Sequence, residues 1–139
     1  MVARTDAGRI GLWGVSLGGY YATHLAEKHR LKAVLVNPAV VAHLSLAELV
    51  GTQTNLYTGE AFEFRPEYLD ELRALEVPAI SRPQDFLLLA ETGDEVLDYR
   101  QAVAKYAGCR QVVLEGGDHS FTRWDDYLDE ILRFAGLPA

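Results

Sequence analysis

The chain has 139 residues, of which 49% are hydrophobic and 24% charged, with a net charge of −7 at pH 7 and one cysteine, Cys109. This is ordinary globular composition, long enough to bury roughly 68% of the unfolded surface without staples. A lone cysteine excludes an internal disulfide framework, the absence of paired cysteines or clustered histidines argues against zinc, and the acidic balance argues against nucleic acid or an anionic membrane as partner. No apolar run approaches the length of a membrane span, and Met1 to Asp6 does not read as a signal peptide. The expectation is a cytoplasmic protein with no metal, no cofactor and no nucleic-acid or membrane partner.

In chain order, Arg9 to Trp13 reads as a short strand, and Leu17 to Lys28 as a helix with Leu17, Tyr21 and Leu25 four apart on one face. Lys32 to Val36 is a second strand, stopped by Pro38. The alternation then breaks between Pro38 and Pro83. Ala42 to Val50 has helical character, Asn55 to Gly59 reads as a turn, and Pro66 opens a helix running towards Leu75. Strands resume at Phe86 to Ala90 and Gln111 to Glu115, with helices at Tyr99 to Ala107 and Trp124 to Phe134. In the last of these, Trp124, Tyr127, Leu128, Ile131 and Leu132 form an apolar stripe that reads as core. Cys109, at the start of a strand, reads as a packing residue. Strands alternating with helices predict an α/β fold, a parallel sheet of about four strands with flanking helices and a helical insertion after the second strand. Residues 38–83 then lie after a strand's carboxyl end as a lid-like insertion. Leu44, Leu46, Leu49, Tyr57 and Phe62 would line an acyl pocket or form the insertion's own small core.

The chemistry concentrates at Gly14-Val15-Ser16-Leu17-Gly18, which has the spacing of a nucleophile elbow between a strand and a helix. So sharp a turn leaves little room near the serine, which explains glycine two positions before and two after it. The turn would raise the Ser16 hydroxyl at the strand's carboxyl end and aim the Leu17 N–H at a developing oxyanion. A serine hydroxyl needs a base. Of the four histidines, His24 and His29 lie on the helix leaving the elbow, His24 two turns from Ser16, and His43 has no nameable partner. His119 closes Gly116-Gly117-Asp118-His119 at the end of the last strand, where a base could meet the serine of a neighbouring strand.

The chain has twenty Asp and Glu from which an orienting acid could come. Asp6 and Asp85 precede strands, and Asp118 adjoins His119 too closely in sequence to face it well. Asp94 follows a strand through Thr92-Gly93 and is the favoured acid. Asp98 is the rival, although Asp98-Tyr99-Arg100-Gln101 reads as an N-cap with a capping-box partner, and Glu95 comes third. The chain order Ser16, Asp94, His119 is that of α/β-hydrolases.

Gly14 to Thr23, Val36-Asn37-Pro38-Ala39-Val40, Tyr57-Thr58-Gly59, Thr92 to Val103 and Glu115 to Phe121 together closely resemble the YqiA-like esterases, a bacterial family of small α/β-hydrolases. The resemblance covers nearly the whole chain. It implies hydrolysis of carboxylic esters, with acyl-CoA thioesters as a second candidate substrate class, and Ser16 as nucleophile, His119 as base and an aspartate in the Asp94 region. The family pattern also has an amino-terminal strand and a His-Gly-Phe loop, which nothing here matches, so the chain reads as a single hydrolase domain over 1–139, truncated relative to that pattern. Without that strand the elbow strand would be an open apolar edge, inviting a homodimer by strand pairing, and one oxyanion donor would be missing. Three functions remain open at this point: a serine ester or thioester hydrolase acting on small-molecule substrates, an acyltransferase with the same three groups, and a non-catalytic or weakly active scaffold.

Overall fold

The structure is a computed structural model, which describes residues 2–4, 10–40, 51–54 and 58–137. Its main unit comprises residues 1–40 and 77–139. There, five strands pair in the order β1 (Val2–Arg4), β2 (Ile10–Val15), β3 (Lys32–Val36), β6 (Phe86–Glu91) and β7 (Arg110–Leu114). The last four are mutually parallel, as the alternation of strands and helices predicts.

Period-two patterning builds a core on each face of this sheet. On one side Ala33, Leu35, Phe86, Leu88 and Ala90 are buried with Ala22 and Ala26 of α1 (Leu17–His29), and with Ala102 of α3 (Tyr99–Lys105) and Tyr106 just beyond it. On the other, Val34, Val36, Leu87 and Leu89 pack with Phe121 and with Ile131 of α4 (Leu128–Ala135). Continuous burial along β6 is the mark of a central parallel strand. Cys109 packs against the first core, and burial pushes its thiol up to about 11, away from reactivity.

Three expectations are corrected here. β2 is not an open edge over its first half: Val2, Ala3 and Arg4 pair antiparallel with Leu12, Gly11 and Ile10, and Leu12 is buried. Over those three residues β1 supplies the neighbour whose absence was the reason given for a dimer seam on the elbow strand. The final helix also begins later than its apolar stripe suggests, because Thr122–Tyr127 is a 3-10 segment. Trp124 is therefore no core residue but 40% exposed, resting edge-on against Trp13 with ring centroids 5.9 Å apart.

Residues 41–76 form a compact unit of their own. Its described part is a hairpin of β4 (Gly51–Thr54) and β5 (Ala61–Phe64), followed by α2 (Pro66–Ala74), with proline in its first turn and Leu72 buried. The insertion is thus not purely helical: it contains a β-hairpin, while residues 55–57 of the expected turn lie outside the described residues. The expected helix at 42–50 falls outside the described residues, as do Leu44, Leu46, Leu49, Tyr57 and His43.

Candidate active site

β2 ends at Val15, α1 begins at Leu17, and Ser16 between them has φ 55° and ψ −123°. A non-glycine residue there is strained by about 1–3 kcal/mol and persists only where its surroundings over-determine it. The surroundings do so through the backbone. The Ser16 N–H donates to the Val36 carbonyl (3.0 Å), and the Ser16 carbonyl accepts from Gly19 N–H (3.0 Å) and Ala39 N–H (2.9 Å).

The glycines divide differently from their spacing in the motif. A Cβ on Gly14 would lie 2.4 Å from the Gly18 carbonyl oxygen, so position 14 admits glycine alone. A Cβ on Gly18 would meet nothing within 4 Å, which corrects the expectation that both motif glycines are sterically required. The second close approach is at Gly19, where a Cβ would come within 2.5 Å of Pro38.

His119 reaches Ser16 from the loop after β7. Its Nε2 is 2.8 Å from Ser16 Oγ and its Nδ1 is 2.9 Å from Asp94 Oδ2, so one imidazole links groups at the ends of three strands. The Asp94 side chain is only 2% exposed, and its other oxygen accepts from the N–H groups of Val96 and Leu97, both at 2.9 Å. A carboxylate at Asp94 Oδ2 can only accept, an arrangement that suits the tautomer with the proton on Nδ1 and Nε2 free to accept from the hydroxyl.

The rival acids have other partners. Asp98 caps α3 through the Arg100 N–H (3.0 Å) and holds the Arg100 side chain at 2.9 Å; that side-chain hydrogen bond keeps its carboxyl below the usual range. Glu95 turns to the backbone, accepting the His119 N–H at 3.0 Å. Asp85 pairs with Arg82, and Asp118 accepts from Ser120 N–H. Leu17 opens α1, where the first N–H groups of a helix have no acceptor within it.

Two features had no sequence signal strong enough to single them out. Asn37, buried at the end of β3, joins the loop of His119 to β6 through its side chain. Glu91, 1% exposed at the end of β6, accepts from Arg123 at 2.7 Å, and Gly117 lies so close that a Cβ there would overlap the carboxylate. Beside the elbow is an apolar cavity of about 750 Å³ bordered by Trp13, Gly18, Tyr21, Ser120, Phe121 and Trp124. Among the described residues no group of three or more His, Cys, Asp or Glu is arranged to hold a metal ion, and no helix is long and apolar enough to cross a membrane.

The architecture recurs in solved structures. The esterase domain of a Rhodothermus marinus protein superposes with a TM-score of 0.60 at 22% identity, over 88% of this chain and 58% of that one. A putative hydrolase from Agrobacterium vitis S4 gives 0.63 at 20% identity, over 88% and 59%. An α/β serine hydrolase without a lid from Xanthomonas campestris gives 0.53 at 15%, over 93% and 48%. At such identities the likeness establishes the fold, that of the α/β-hydrolases, and the chain spans less than two thirds of each relative's length. Residues 1–136 match the model of the uncharacterised protein family UPF0227, the YqiA-like esterase family to which the sequence resemblance points, and the chain belongs to that family.

Proposed function

We propose that the chain is a serine hydrolase that cleaves carboxylic esters or acyl thioesters through an acyl-enzyme on Ser16. The observation that carries this reading is the unbroken line from Ser16 Oγ to His119 Nε2 (2.8 Å) and from His119 Nδ1 to Asp94 (2.9 Å). The serine has an acceptor for its proton, and the imidazolium that would form has a buried carboxylate beside it. Its nucleophilicity is thereby raised at the moment of attack rather than in the resting state.

In the first half-reaction Ser16 Oγ attacks the ester carbonyl while His119 Nε2 takes the hydroxyl proton. The Leu17 N–H donates to the oxyanion, and the proton then passes from His119 to the leaving alcohol or thiol. Water enters against the acyl-enzyme, His119 takes its proton, and the acid departs with Ser16 restored. The apolar cavity beside the elbow favours substrates with an apolar portion.

The test is turnover of p-nitrophenyl acetate, with mass spectrometry of the Ser16 peptide to detect an acetyl group. Ser16→Ala is expected to abolish the reaction and the adduct together, a loss of at least about 10⁴-fold in kcat. Hydrolysis that survives Ser16→Ala would overturn the assignment.

A further inference from the structure

We infer that Asn37 is a positioning residue for His119, setting the reach of the imidazole to Ser16 through the backbone of the histidine loop. The inference rests on the proposed hydrolase reading of this site. Asn37 is 3% exposed and lies one residue beyond β3 with φ 41°, in the left-handed region that asparagine tolerates better than most residues. Its Nδ2 donates to the carbonyl oxygens of Asp118 (3.1 Å) and His119 (3.0 Å). Its Oδ1 accepts the Glu91 N–H at 3.0 Å. Two carbonyls on one side and an N–H on the other fix the amide's orientation, because the flipped group would set oxygen against oxygen and N–H against N–H.

The same few residues also hold the serine. Val36 and Ala39, on either side of Asn37, make the hydrogen bonds to Ser16 N–H and Ser16 carbonyl. Residues 36–39 are therefore a spacer: the backbone grips the elbow, and the Asn37 carboxamide grips the histidine loop. Glu95, bonded to the His119 N–H at 3.0 Å, fixes the other end of the same peptide unit. Asp94 determines which way the ring faces, whereas Asn37 determines where the ring's backbone stands. A catalytic imidazole displaced by about 1 Å can lose on the order of 10²-fold in rate.

Asn37→Asp keeps shape and volume and retains an oxygen for the Glu91 N–H, but turns the paired donors into an acceptor facing two carbonyls. Asn37→Gly adopts the positive φ without strain and removes the side chain altogether. Both are expected to lower kcat for p-nitrophenyl acetate, per folded molecule, by about 10- to 100-fold with KM nearly unchanged. Both should also weaken or abolish the low-field proton resonance of the His119 Nδ1–H shared with Asp94. The matched control is Gln111→Glu. The Gln111 Nε2 likewise donates to two backbone carbonyls, Val103 (3.1 Å) and Tyr106 (2.8 Å), but at the opposite end of the sheet. It should lower stability and leave both kcat and the resonance alone. Wild-type kcat and an unaltered resonance in both Asn37 variants, or an equal fall in kcat in the Gln111 variant, would overturn the inference. The resonance requires no turnover, so the positioning claim is decided even if the wild-type chain proves to hydrolyse no ester; its retention in Asn37→Asp would then overturn it.

Discussion

The two halves of the site are built by opposite means. The elbow around Ser16 is defined by missing atoms, a Cβ excluded at Gly14 and at Gly19, with the Ser16 N–H and carbonyl held by backbone groups. The histidine loop is defined by side chains that reach across from other elements, Asn37 from the end of β3, Asp94 and Glu95 from the loop after β6. A steric turn fails when an atom is added. A side-chain scaffold fails when one is removed or changed in kind, and substitutions separate the two.

The largest effect is expected on the histidine side. Asp94→Asn keeps the shape but can offer its amide N–H to Nδ1, turning the ring to the wrong tautomer; kcat should fall on the order of 10⁴-fold with the fold intact, as read by p-nitrophenyl acetate turnover and circular dichroism. Asp98→Ala, four residues on, removes a helix cap and should leave kcat unchanged while weakening the fold. Because Arg100 holds the Asp98 carboxyl below its usual range, the wild-type contribution is present above that range and is lost as the pH falls from there through the lowered value of the folded state. Equal losses of kcat in the two variants would erase the distinction between them.

Next comes the elbow. Gly14→Ala should destabilise the chain by about 3 kcal/mol, at the upper end of overpacking costs, because backbone at Gly18 and Gly19 must move. Gly18→Ala should do the reverse, raising stability by about 0.5 kcal/mol, since alanine suits the first turn of α1 and meets no neighbour. Urea titration of the pair checks both signs.

A gentler test concerns how the elbow helix is anchored. Thr23, one turn after Gly19 on α1, hydrogen bonds to the buried Tyr106 hydroxyl at 2.8 Å. Burial pushes that hydroxyl up to about 12, above its ordinary value near 10. The folded state thus keeps a proton that the unfolded chain releases first. This contribution is complete below about pH 10 and is lost as pH rises through about 12. Urea midpoints across that window should fall with pH, and Tyr106→Phe should flatten the slope.

This contrast also explains what could be read from the sequence. The elbow, the order Ser16, Asp94, His119 and the four parallel strands are legible because each leaves a local mark: a glycine spacing, an apolar run, a loop at a strand's end. Asp94 was separable from Asp98 because an N-cap has its own short signature. Asn37 and the Glu91–Arg123 pair leave no such mark, since their partners lie 54 to 82 residues away, or 32 for the ion pair. The antiparallel β1 has no sequence signature, because Val2-Ala3-Arg4 is too short to show a period. Trp124 misled for a related reason: its place in a helical stripe is real, but the chain there is wound as a 3-10 segment and turns the ring outward.

The strand order has a kinetic consequence. β2, β3, β6 and β7 lie side by side in the order of synthesis, so each parallel strand joins at the edge completed by its predecessor. The hydrogen bond between Ser16 and His119 spans 103 residues and closes only when the loop beyond β7 has docked. Contacts of such long range form late, after nearer pairings have reduced the loop-closure entropy. We therefore expect refolding to yield a species in which α1 and the elbow are protected from hydrogen exchange before Ser16 reacts with a fluorophosphonate probe. Competence for chemistry would then report the last step of folding, and a labelling rate that recovers in step with protection of α1 would show that the sheet closes all at once.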